Sequence, residues 1–190
     1  MDDTTSQLQR EIRQTRPFRS RAHEATVALM RTADVLSQAF GKVVDPTGLT
    51  AQQYNVLRIL RGAGEAGLPT LEIAERMIER APGITRLLDR LEQKDLVRRE
   101  RCAGDRRQVL CWPTASALAL LAKLDPEIDA LETRSLAALP QSDQQRLIDF
   151  LDIVRAAHPS CSRAASPTEP ELHAGEAPAL STPFNERKSS

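Results

Sequence analysis

The chain has 190 residues, 41% of them hydrophobic but only 3% aromatic, and its 26 Lys/Arg balance 26 Asp/Glu. That length accommodates one domain with extensions or two small ones, and a core built of Leu, Ile, Val and Ala leans helical. No run approaches 18 apolar residues and residues 1–10 are polar, so neither a membrane span nor a signal peptide is expected, and three sparse cysteines read as belonging to a reducing cytoplasm.

Zero net charge argues against a nucleic-acid partner, because phosphate binding calls for surplus positive charge. The distribution reverses that reading. Residues 80–107 hold 9 Lys/Arg against 5 Asp/Glu, leaving 17 against 21 elsewhere. A locally basic module on an acidic body suits a head that enters a DNA groove.

Residues 1–20 are polar and read as a flexible extension. Leu29, Ala33, Leu36 and Phe40 then recur at helical spacing, which predicts a helix over about 23–40 stopped by Gly41. Asp45, Pro46 and Gly48 form a turn. Thr50 and Gln53 make a capping box for the next helix, with Tyr54, Leu57 and Leu60 on its buried face and Gly62, Gly64 and Gly67 ending it. Thr70 is placed to cap a third helix with Leu71, Ala74, Met77 and Ile78 inside. Pro82 opens a fourth, where its missing N–H is not needed. In that fourth helix Ile84, Leu87, Leu88 and Leu91 form an apolar stripe, and Thr85, Arg86, Asp89, Arg90 and Gln93 take the opposite face.

Residues 96–100 and 109–112 are short and β-compatible, flanking a charged connector centred on Gly104 and Asp105, which predicts a two-stranded hairpin. Thr114 caps a long helix carrying Leu118, Leu121, Leu124, Ile128 and Leu131. Pro126 falls within it and should kink or divide it. Ser142 and Gln145 form a second capping box for a last helix with Leu147, Leu151 and Val154. Residues 159–190 contain 5 of the 12 prolines and read as a disordered tail.

Two short helices followed by a basic hairpin make a winged helix-turn-helix, here over about residues 49–114. A helix about 10 Å across fits the major groove and presents its first turns to base edges. The first turn also aims peptide dipoles at phosphate. An arginine at the hairpin tip gains from the potential of a narrow minor groove, and Asp105 can orient it through a bidentate pair.

In the order Leu49-Thr50…Gln53-Tyr54-x-Val56-Leu57, Leu71-x-Ile73-Ala74-Glu75, residues 84–92 (ITRLLDRLE), Leu96-Val97-x-Arg99 and Asp105-Arg106-Arg107, residues 23–157 resemble the MarR family of bacterial regulators. The resemblance implies a mainly α fold of about six helices plus a two-stranded wing. It implies a homodimer whose first, fifth and sixth helices (about 21–41 and 114–157) intertwine within a domain over 21–158. The implied function is that of a ligand-responsive repressor on a pseudo-palindromic operator, released by a small molecule or by oxidation. The residues assigned to DNA are Thr70, Gly83, Thr85, Arg86, Arg90, Asp105, Arg106 and Arg107, with Arg107 as the wing arginine oriented by Asp105. The chain departs from the family pattern at Asp95, where glycine is usual before the first wing strand, and at Pro113 and Ala117, where Leu and Gly are usual.

Other chemistries find less support. Cys102 and Cys111 lack the clustered ligands of a zinc site, and redox-sensing relatives carry their cysteine near the first long helix, where this chain has none. His23, His158 and His173 are scattered, no nucleophile–base set is present, and Gly62–Gly67 lacks the lysine of a phosphate loop, so no enzyme, metal or cofactor is expected. The alternative reading is a winged-helix protein-interaction module, favoured by the neutral total charge and by Asp125, Glu127, Asp129 and Glu132. Tyr54 and the first-helix face near His23 are candidate pocket walls.

Overall fold

The structure, a computed structural model, describes residues 6–79, 83–102, 104 and 108–158. Its elements are α1 (Gln7–Glu11), α2 (Arg21–Val44), a 3₁₀ turn (Asp45–Thr47), α3 (Ala51–Ala63), a second 3₁₀ turn (Gly64–Ala66), β1 (Leu68–Pro69), α4 (Thr70–Arg76), α5 (Ile84–Gln93), β2 (Val97–Arg101), β3 (Val109–Pro113), α6 (Ala115–Leu136) and α7 (Gln141–Ala156). The mainly helical architecture and the β2–β3 hairpin match the sequence reading. The sheet has a third member: β1 pairs antiparallel with β3, Leu68 opposite Cys111, giving the order β1-β3-β2.

Local sequence chemistry explains several boundaries. The Thr50/Gln53 capping box is formed in both directions, at 3.0 and 3.2 Å. Thr114 caps α6 through the Ala117 N–H. In α3, Tyr54, Leu57 and Leu60 are buried as expected.

Other boundaries are set by packing. Gly41 does not stop the first long helix, which continues to Val44; Val44 is fully buried, and that burial outweighs the roughly 1 kcal/mol a mid-helix glycine costs. Thr70 is the first residue of α4 and not its cap. Pro69, tied into β1, takes the cap position, and the Thr70 hydroxyl instead lies 3.9 Å from the Cys111 sulfur. Leu71 and Ile78, expected inside, are 71% and 82% exposed, while Ile73 is buried. The helix ends at Arg76, so a helical period cannot be carried on through Met77, whose backbone is extended. The Ser142/Gln145 box is likewise absent: Pro140 caps α7, with its φ of −60° already suited to a helix entry, which puts Ser142 inside the first turn. Pro126 does not divide α6, because Pro126 and Ala122, whose carbonyl loses its partner there, both face solvent. Pro82 lies outside the described residues.

One core runs from Val44 through Leu57, Leu60, Ile73, Leu88 and Leu91 to Leu121, Leu124 and Ile128, joining the head to α2 and α6. The long helices leave much apolar surface uncovered. Leu29, Met30, Val35 and Leu36 of α2 and Ile148, Phe150, Ile153 and Val154 of α7 are exposed, and α7 buries no residue at all.

Candidate nucleic-acid interface

Helix α5 has the two-sided character its sequence predicts. Leu88 and Leu91 are fully buried, Ile84 and Leu87 are half-buried against the core, and Thr85, Arg86 and Arg90 are exposed. Gly83 takes the N-cap position at φ 102°, a conformation side-chain-bearing residues rarely adopt, and contributes no side chain to obstruct the helix entrance. The first-turn N–H groups of α5 have no acceptor within the helix and no side-chain cap. Thr70, assigned to DNA from the resemblance, is half-buried beside Cys111.

Asp89, its side chain 44% exposed, is also engaged within the head. Its carboxylate lies 2.7 Å from Arg99 of β2, and Arg99 also donates to Glu92, through Nε at 3.0 Å and through Nη2. The hydrogen bond to Glu92 is the main reason the Arg99 guanidinium is held even more firmly protonated than usual, with that to Asp89 adding to it. One arginine thus ties the wing strand to two turns of α5. Sequence reasoning gave Arg99 no role. The available signal was the Asp89/Glu92 spacing of three, which puts two carboxylates on one helix flank.

The turn from α5 into β2 shows what replaces the usual glycine. Asp95 adopts φ 55°, the left-handed conformation glycine would supply. Its N–H donates to the Glu92 carbonyl at 2.9 Å and its carbonyl accepts from Thr114 Oγ1 at 2.7 Å, while Leu96 N–H reaches back to Leu91 O. These bonds hold a strained residue in place and lock the helix end to the start of α6. Ala117 is fully buried beneath that junction.

At the other end of the hairpin, Arg101 pairs with Val109 and Cys102 N–H donates to Gln108 O at 3.0 Å. Asp105, Arg106 and Arg107 lie outside the described residues. Trp112 of β3 braces the base of the wing. Its ring lies under the Arg98 guanidinium at 4.4 Å, and its Nε1 donates to Glu65 O at 2.9 Å.

The two described cysteines are free. Cys111 is fully buried, and burial pushes its thiol above the ordinary value. With Cys102 and Cys161 both changed to serine, the native protein should consume no Ellman's reagent at pH 8, and one equivalent should react only in denaturant. Prompt native reaction would show that the sheet opens readily.

A cavity of about 440 Å³ lies between α2, α3 and the segment after α4. Phe40 and Tyr54 meet edge-on in it at 5.2 Å, Arg58 lies over the Tyr54 ring, and Leu36, Met77 and Ile78 add apolar wall. Burial raises the Tyr54 phenol above its usual value, so it stays protonated near neutral pH. Tyr54 was expected here. His23 was too, but it pairs with Phe18 and does not line the cavity, which opens against later turns of α2.

The chain is similar in sequence and fold to known proteins. The MarR family's sequence pattern matches residues 49–109. The transcriptional regulator HosA of Escherichia coli is 31% identical over 107 residues, which is 56% of this chain and 76% of HosA. A MarR transcription factor from Planctomyces limnophilus shares 36% identity and a TM-score of 0.55 over 72% of this chain and 99% of its own. The fold alone also matches the Staphylococcus aureus MepR–DNA complex, at 20% identity and a TM-score of 0.65 over 70% and 96% of the two chains. With that sequence pattern matched and more than two thirds of HosA covered at 31% identity, the chain belongs to the MarR family of transcriptional regulators.

Proposed function

We propose that this protein is a cytoplasmic, homodimeric, sequence-specific DNA-binding repressor. Thr85, Arg86 and Arg90 read base edges in the major groove, the α5 entrance at Gly83 faces phosphate, and Thr70 adds a further DNA contact. Asp105, Arg106 and Arg107 form the wing's contact to the minor groove, Asp105 orienting Arg107. The observation carrying this reading is the division of α5 into an inner face anchored by fully buried Leu88 and Leu91 and an exposed Thr-Arg face.

The dimer follows from the uncovered apolar faces of α2 and α7, which a monomer would leave in water. A second copy of the same faces covers them symmetrically. Two heads would then address half-sites one helical turn, about 34 Å, apart. The Phe40/Tyr54 cavity lies where head meets long helices and suits a small amphipathic inducer, which shifts the equilibrium only through unequal affinity for two head arrangements.

The test is a gel shift on fragments of the source genome at two salt concentrations, with the mass in solution measured by analytical ultracentrifugation. A dimer with salt-sensitive, sequence-selective binding is expected. A dimer with no DNA affinity at any salt would leave the protein-interaction reading in its place.

A further inference from the structure

Two short connections join the head to the long helices: the 3₁₀ turn ending at Gly48, with φ 76°, and the Pro113–Thr114 junction. Between them, α3 lies against α2 and α6. Tyr54, Arg58 and Arg61 fall at i, i+4 and i+7 on α3, and Asp125 and Glu132 are seven apart on α6. At the far end of this seam Arg61 grips Asp125 with both terminal guanidinium nitrogens, at 2.7 and 3.1 Å. It is the only ion pair among the described residues that links the head to a long helix; the others lie within α2, α4 or α7, or inside the wing and its recognition helix.

We propose that the Arg61–Asp125 pair is a positioning clamp that fixes the angle of the DNA-reading head against α6. The reasoning is mechanical. Arg61 lies 11 residues beyond the Thr50 cap, so the clamp acts about 16 Å along α3 from the hinge turn, where a small rotation becomes a large displacement. Packing of Leu121, Leu124 and Ile128 is non-directional and tolerates sliding. A bidentate carboxylate–guanidinium pair instead fixes both distance and plane. The Arg61 hydrogen bond holds the Asp125 carboxyl below the usual carboxylate range, so the pair persists at neutral pH and below. Both side chains are more than a third exposed, so the pair contributes little to stability, and its value lies in geometry.

The clamp's effect on operator binding rests on the DNA-binding reading; its effect on head angle does not. The experiment therefore has two readouts. One is the intraprotomer distance between spin labels at Cys102 in the wing and at a cysteine replacing Thr32 on α2, in a Cys161→Ser background and with excess unlabelled chain to isolate single labelled protomers. The other is affinity for a DNA fragment that the wild type binds. Asp125→Asn should broaden the distance distribution and weaken DNA binding about threefold to tenfold, with melting temperature and dimer mass unchanged. Asp125→Glu keeps the charge and should restore most of both; Arg61→Lys keeps the charge but not the fork and should fall between. An Asn variant with the wild-type distribution would overturn the clamp, as would a Glu variant as impaired as the Asn one. If the wild type binds no DNA, the function reading fails while the distances still decide the clamp.

Discussion

Replacing Thr85 and Arg86 together with alanine is expected to cut the ratio of operator to random-sequence DNA affinity about 10- to 100-fold. A well-formed contact to a base edge contributes roughly 1–3 kcal/mol of discrimination, and each 1.4 kcal/mol is about a factor of ten. Both side chains are exposed, and α5 is anchored by Leu88 and Leu91 on its other face, so the helix itself should not move. Alanine is also a strong helix former, which keeps the melting temperature near that of the parent. Anisotropy titrations against operator and random duplexes, at two salt concentrations, separate the effects. Loss confined to the operator marks base reading; equal loss on both, with a shallower salt slope, marks phosphate contact. An unchanged ratio would transfer sequence reading to another element.

The second large effect concerns stability. Gly67→Ala should destabilise the fold by about 3 kcal/mol, combining strain from a backbone region nearly confined to glycine with overpacking. Gly67 has φ 68° and ψ 178°, and a Cβ there would fall 2.4 Å from the Trp112 ring. That ring cannot swing away without releasing its hydrogen bond to Glu65 and its stack under Arg98. A drop of about 10 °C in melting temperature should follow for a folded part of this size. Gly62→Ala is the control: Gly62 lies within α3 with open space around it, so alanine should be neutral or stabilise by up to about 1 kcal/mol. If both variants melt alike, Trp112 is not seated as described.

Periodic features were legible from the residues alone. The stripe Ile84/Leu87/Leu88/Leu91 located helix α5 and, by exclusion, its exposed Thr85/Arg86/Arg90 face, because helical period fixes which side chains share a side. The Thr50/Gln53 box was legible because its partners lie within one turn. Misreadings occurred where a local pattern competed with something distant. Thr70 has the side chain of a cap, but pairing of Pro69 with β3 sets where α4 begins. Asp89 has helical phase for the solvent face, yet Arg99, ten residues on, captures it. Ser142 and Gln145 have the spacing of a capping box, but Pro140 starts the helix earlier.

The sequence by itself determined the winged head, its two-sided helix α5 and the unusual Asp95 position, since these follow from period, turn chemistry and motif order over short spans. Only the tertiary structure decided which long-range partners hold that head. Arg61 and Asp125 are 64 residues apart, Trp112 and Gly67 are 45 apart, and no local propensity links either pair. Helical and strand periods record which face of an element is buried, but not what it is buried against. The angle at which α5 is presented depends on contacts that exist only once the chain has folded.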